Sequence, residues 1–85
     1  MIKEGRYAPR KRTLRAGKII VNDGASVFDC IVRNLSDTGA LLQIEGVMAI
    51  PDHIVVVIGS GAEAQARRAR VVRREAFGIG VKFEG

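Results

Sequence analysis

Hydrophobic and polar positions alternate along most of this chain, and short polar stretches carrying glycine interrupt the alternation at close intervals. Apolar residues that recur every second position share one face of an extended strand, so the pattern predicts β structure. A first strand is expected over residues 13–21, ending in Ile19-Ile20-Val21. Asn22-Asp23-Gly24 follows as a turn, because Asp-Gly accommodates the positive φ angles of tight hairpins. Residues 26–33 form the next strand, with Phe28, Cys30 and Val32 on one face and Asp29, Ile31 and Arg33 on the other. A polar turn, Asn34-Leu35-Ser36-Asp37-Thr38-Gly39, separates it from a third strand over 40–44. Asn, Ser and Asp side chains bond nearby backbone there, and Gly39 is expected to take a backbone conformation that other residues avoid.

Glu45-Gly46 breaks the pattern before a short apolar piece at 47–50, and Pro51-Asp52 breaks it again. The β-branched run 54–58 fits a buried strand, and Gly59-Ser60-Gly61 makes the next turn. The arginine-rich block 65–74 is locally ambiguous, since Ala and Arg are good helix formers. Val71-Val72 and the close turns on either side favour a strand. The last strand, 77–83, places Ile79, Val81 and Phe83 on one face and Gly78, Gly80 and Lys82 on the other. About six short strands and no helix predict an all-β domain, a small barrel or a sandwich. Residues 1–12 stand apart. They are polar and basic, and Pro9 has no backbone N–H to give a helix, so they read as an extended arm.

Composition narrows the class. Eighty-five residues suffice for one small domain, and an apolar content of 47% excludes disorder. No apolar run reaches the roughly 20 residues that span a bilayer, and no leader pattern opens the chain, so membrane insertion is not expected and the cytoplasm is the expected location. The single cysteine, Cys30, excludes an internal disulfide and a multi-cysteine zinc site, and its place beside Phe28 and Val32 makes it a small core residue. His53 is the lone histidine, and no nucleophile–base pair, paired carboxylates or metal-ligand cluster can be read. An enzyme is therefore not expected.

The formal charge of +5 favours anionic partners. The charge is also uneven. Lys3, Arg6, Arg10, Lys11, Arg12, Arg15 and Lys18 crowd the start, and Arg67, Arg68, Arg70, Arg73 and Arg74 crowd one later block.

Two motifs give this charge a purpose. Arg6 and Arg10 stand four apart on the arm, with Pro9 before the second, and Asn34, Ser36 and Gly39 form Asn-x-Ser-x-x-Gly between the second and third strands. With the strand pattern between them and the closing run Gly80-Val81-Lys82-Phe83, the chain resembles the PilZ domain over roughly residues 6–84. The resemblance implies a six-stranded antiparallel β-barrel over 13–84, preceded by a flexible basic arm over 1–12, in a single domain of residues 1–85. It also implies a receptor for the dinucleotide cyclic di-GMP, with no other cofactor.

Arginine suits such a ligand, because its planar guanidinium offers parallel N–H donors to phosphate or to guanine O6 and N7, and stacks on a base. Arg6, Arg10, Asn34, Ser36 and Gly39 are the expected ligand contacts, with Lys11 and Arg73 as further candidates. Arg73 occupies what looks like the position of a tryptophan that packs by the ligand in many members, and the chain has no Trp. Gly5 stands where many members carry a second arginine, which favours one nucleotide per domain over a stacked pair. The family's common C-terminal helix is not expected here. A receptor without an output domain is expected to signal through a protein partner, in motility, biofilm or envelope control.

Two other functions fit the residues: an adaptor of the same fold that binds no nucleotide, and a basic barrel that binds RNA or DNA non-specifically. Nucleic acid is disfavoured, because Tyr7, Phe28, Phe77 and Phe83 are the only aromatics that could form a base-stacking surface.

Overall fold

The structure, a computed structural model, describes residues 14–46 and 50–84. Six antiparallel strands close into a barrel: β1 (Arg15–Val21), β2 (Ser26–Arg33), β3 (Gly39–Gln43), β4 (His53–Ile58), β5 (Gln65–Glu75) and β6 (Gly78–Phe83). Around the barrel the order is β1, β2, β3, β6, β5, β4, and β4 pairs back onto β1. Closure leaves no free sheet edge, which decides between the barrel and the sandwich. Among the described residues the only helical pieces are two single 3-10 turns, Asn22–Gly24 and Gly61–Glu63.

Period-2 alternation fills the interior. Ile19, Val32, Leu42, Val56 and Ile79 are fully buried, and Ile50, from the segment before β4, joins them. Burying each such side chain stabilises the fold by about 1.5–3 kcal/mol. Among the described residues no polar or charged side chain is buried, so the core needs no internal ion pairs. Cys30 lies in this core as the alternation predicts, and burial pushes its thiol pKa up to about 11, with the nearby Asp29 charge adding to the effect and Lys18 opposing it. Arg67 points inward from β5, and its guanidinium lies 4.0 Å from the centroid of the Phe83 ring. This cation–π contact covers an aromatic that the sequence reading counted as available on the surface.

Several boundaries differ from expectation. Phe77 does not open β6. Glu75 pairs with Gly78, so Ala76 and Phe77 form a two-residue hairpin turn, and Phe77 is 73% exposed at its tip. Phe83 is buried and Phe28 half-buried, so of the aromatics within the described residues only Phe77 is fully presented to solvent. The β1–β2 connection is a four-residue loop in which Asn22, Asp23 and Gly24 all take positive φ, with Ala25 N–H donating to the Asn22 carbonyl at 3.0 Å. Thr13 and residues 47–49 lie outside the described residues.

One irregularity in β5 bears on the site. Val71 pairs with Val81, yet Arg73, not Val72, pairs with Gly80. Val72 is therefore the extra residue of a β-bulge, and it is 56% exposed. A bulge reverses the inside–outside parity of all that follows it. Before it the even-numbered Arg68 and Arg70 face out around buried Ala69, and after it the odd-numbered Arg73 faces out as well.

Candidate functional site

The turn between β2 and β3 begins at Asn34, whose φ of 51° is left-handed. Asparagine tolerates this conformation better than most residues. Leu35 then tucks against the core and anchors the turn from below. Ser36 organises the rest. Its N–H donates to the Gly39 carbonyl at 2.9 Å, and its Oγ accepts the N–H groups of Thr38 (3.3 Å) and Gly39 (3.2 Å). The same hydroxyl lies 3.2 Å from the Gly39 carbonyl and 3.4 Å from Thr38 Oγ1. Ser36 is thus engaged inside its own turn, as an ST-turn residue. The Thr38 carbonyl accepts from Phe83 N–H at 2.8 Å, which ties the turn to the end of β6.

Gly39 has a different reason from the one expected. Its φ is not positive. A Cβ at this position would lie 2.2 Å from the Val81 carbonyl oxygen, so glycine is needed to let β6 approach. The turn's glycine is a packing requirement.

Strand register carries the site across the barrel's outer face. Gly39 pairs with Lys82, and Lys82 with Arg70. In the neighbouring row Arg33 pairs with Leu41, Leu41 with Gly80 and Gly80 with Arg73. Arg73 lies along Gly80: its Nη2 and Cζ are 3.5 and 3.6 Å from where a Gly80 Cβ would be. Glu75 holds the guanidinium by its Nε at 2.6 Å, and the Arg73 side chain remains 63% exposed. The result is a planar cation fixed along one edge over a bare stretch of backbone. Arg33 is held in turn by Gln43 Oε1 at 2.8 Å. Two strand spacings, about 10 Å, separate β3 from Arg73.

The structure therefore gathers Asn34, Ser36 and Gly39 into one turn and sets Arg73 on the same outer face. Arg6, Arg10 and Lys11 lie outside the described residues. Sequence reasoning did not single out Arg33, Arg70 and Lys82 for the site. The alternation on β6 already put Lys82 outward, but its neighbours depend on which strands pair.

Little else presents chemistry. His53 Nδ1 lies 3.4 Å from Glu84 Oε2 at an exposed position, and the described residues contain no metal-ligating cluster. A groove of about 490 Å³ runs beside the β1–β2 loop, lined in part by Asp23, His53, Arg68 and Glu84, and holds none of the expected site residues. No helix among the described residues is long and apolar enough to cross a membrane.

The geometry is that of a small closed antiparallel barrel with a serine-centred turn between β2 and β3 and a cationic outer face beside it. The family model that matches the chain is the PilZ domain, over residues 4–85, and the chain belongs to that family. PilZ domains form a family of cyclic di-GMP-binding receptor domains. No curated protein matches the chain.

Proposed function

We propose that this domain is a receptor for cyclic di-GMP, seated on the outer face of β3, β6 and β5 beside the Asn34–Gly39 turn. The observation that carries the reading is the shelf of Arg33, Arg73 and Lys82 around the small residues Gly39 and Gly80. Such a shelf suits a flat, dianionic ligand: glycine leaves room for a base to approach the backbone, and cations flank its phosphates. Arg73 offers the exposed face of its guanidinium for stacking on a guanine, in place of an aromatic ring. Asn34, in left-handed backbone at the start of the turn, supplies a further polar contact, while Ser36 acts mainly by holding that turn rigid. Arg6 and Arg10 of the arm supply the paired guanidinium groups that bind the ligand's phosphates or guanines, with Lys11 adding charge. One nucleotide binds per domain, because Gly5 offers no second guanidinium.

Closure of the arm over the barrel would couple binding to a change of shape that a protein partner reads, within the cytoplasm. No catalytic step is assigned. The test is calorimetric titration with cyclic di-GMP, with GTP as the control ligand. Saturable binding at one nucleotide per domain, lost in Arg10→Ala, supports the reading. No heat at tens of micromolar protein would overturn it in favour of an adaptor that works by protein contacts alone.

A further inference from the structure

The far side of the barrel carries a surface of a different kind. Around the ring β1 stands opposite β6 and β2 opposite β5, so the outer face of β1 and β2 looks away from the shelf of Arg73 and Lys82. Its side chains form three cross-strand rows: Ala16 opposite Ile31, Lys18 opposite Asp29, and Ile20 opposite Val27. All six point outward, because they alternate with buried Gly17, Ile19, Cys30 and Val32. Val27 is 53% exposed and Ile31 42%, high values for large apolar side chains. In the middle row Lys18 Nζ meets Asp29 Oδ1 at 2.6 Å. Val55 of β4 pairs with Ile20 and widens the apolar row at one end.

We propose that this face joins two copies of the chain in a two-fold dimer. A dimer of this kind needs a patch that complements itself. Here an axis lying in the face, parallel to the strands and midway between β1 and β2, sets β1 of one copy over β2 of the other at the same level. Every row then meets its own reverse. Lys18 faces the partner's Asp29, Ile20 faces the partner's Val27, and small Ala16 faces the partner's bulky Ile31. The charges choose this occupant. A partner surface of one sign would meet the wrong charge at either Lys18 or Asp29, whereas a second copy brings the right one to both. The chain carries +5, so two copies repel wherever cations face cations. The β5–β6 face, which sets Arg70 against Lys82, is such a place, and the β1–β2 face is balanced. Three rows about 7 Å apart on two strands cover much less than the roughly 800 Å² per partner of a stable interface. The dimer is therefore weak, with a Kd on the order of 100 μM. None of this rests on the receptor reading.

The experiment is sedimentation equilibrium of the domain from about 10 μM to about 1 mM, a range that brackets this Kd. Dimer should accumulate towards the upper end, and Val27→Glu with Ile31→Glu should leave only monomer. Lys18→Glu should also leave monomer, because it sets carboxylate on carboxylate across the axis. Adding Asp29→Lys to it reverses both charges and should restore the dimer. The reversed chain and the native chain should form no mixed dimer, since like charges would meet at both crossed positions. NMR spectra report that each variant folds. A native chain that stays monomeric, a dimer that survives Lys18→Glu, failure of the double reversal to restore association, or free mixing of the two forms would overturn the proposal. Failure of the nucleotide titration would count against the receptor site and leave this face standing.

Discussion

The carbonyl oxygen of Val81 stands 2.2 Å from the point that a side chain at position 39 would have to occupy. The blocking atom is backbone, so no rotamer change relieves it, and β3 and β6 must part where Gly39 pairs with Lys82. Gly39→Ala should therefore cost about 1–3 kcal/mol of folding stability, in the range of other overpacked sites. Urea unfolding measures the loss. Hydrogen exchange should locate it at the Phe83 amide, which bonds to the Thr38 carbonyl beside the strained pair. An unchanged unfolding midpoint would show that β6 has room to yield.

Ser36→Ala separates scaffold from contact. The hydroxyl accepts two turn N–H groups, and its loss should cost about 1 kcal/mol because the turn is exposed and water replaces part of what is lost. Faster exchange of the Thr38 and Gly39 amides is the expected signature. If stability and exchange stay the same while cyclic di-GMP affinity falls, Ser36 acts on the ligand directly and its place in the turn is secondary.

Arg73 and Glu75 give a third prediction. Removing the guanidinium in Arg73→Ala should weaken cyclic di-GMP binding roughly tenfold, as expected for loss of one stacked cation. Arg73→Trp should recover much of that affinity through its own flat face. Glu75→Gln should produce a smaller loss by releasing the guanidinium from its fixed plane. Stability should barely change in any of the three, since both side chains are largely exposed and exposed pairs contribute little. Equal affinity across the series would remove Arg73 from the site.

The thiol of Cys30 sets a pH dependence. Its pKa is raised by burial from 9.0 to about 11, so the folded state holds the proton more tightly than the unfolded chain. The resulting contribution is fully present below pH 9 and is lost as pH rises towards 11, by an amount on the order of 2 kcal/mol. Urea midpoints of the native chain and Cys30→Ala, compared across that window, should converge as pH rises. A constant difference between them would show that the thiol is not the group responsible.

The barrel was readable because its interior is apolar and its strands are short. Cys30, Val32, Ile79 and Val81 follow strict alternation, and polar turns mark each reversal. The Asn34–Gly39 turn was readable for the same reason, since side chains that bond their own backbone advertise a turn locally. The error over Phe77 has an equally local cause. A hydrophobic residue next to a strand looks like part of it until the pairing of Glu75 with Gly78 assigns it to the hairpin tip.

Alternation and turn chemistry in the sequence alone thus determined an all-β chain, its strand count, its core and the place of the serine-centred turn. Tertiary structure decided what depends on which strands meet. Only β6 running beside β3 explains why position 39 must be glycine. Only the bulge at Val72 turns Arg73 outward over Gly80, because one extra residue reverses the facing of every later side chain. The juxtaposition of Arg70 with Lys82 belongs to the same class. Side-chain period is a property of one strand, whereas register is a property of two.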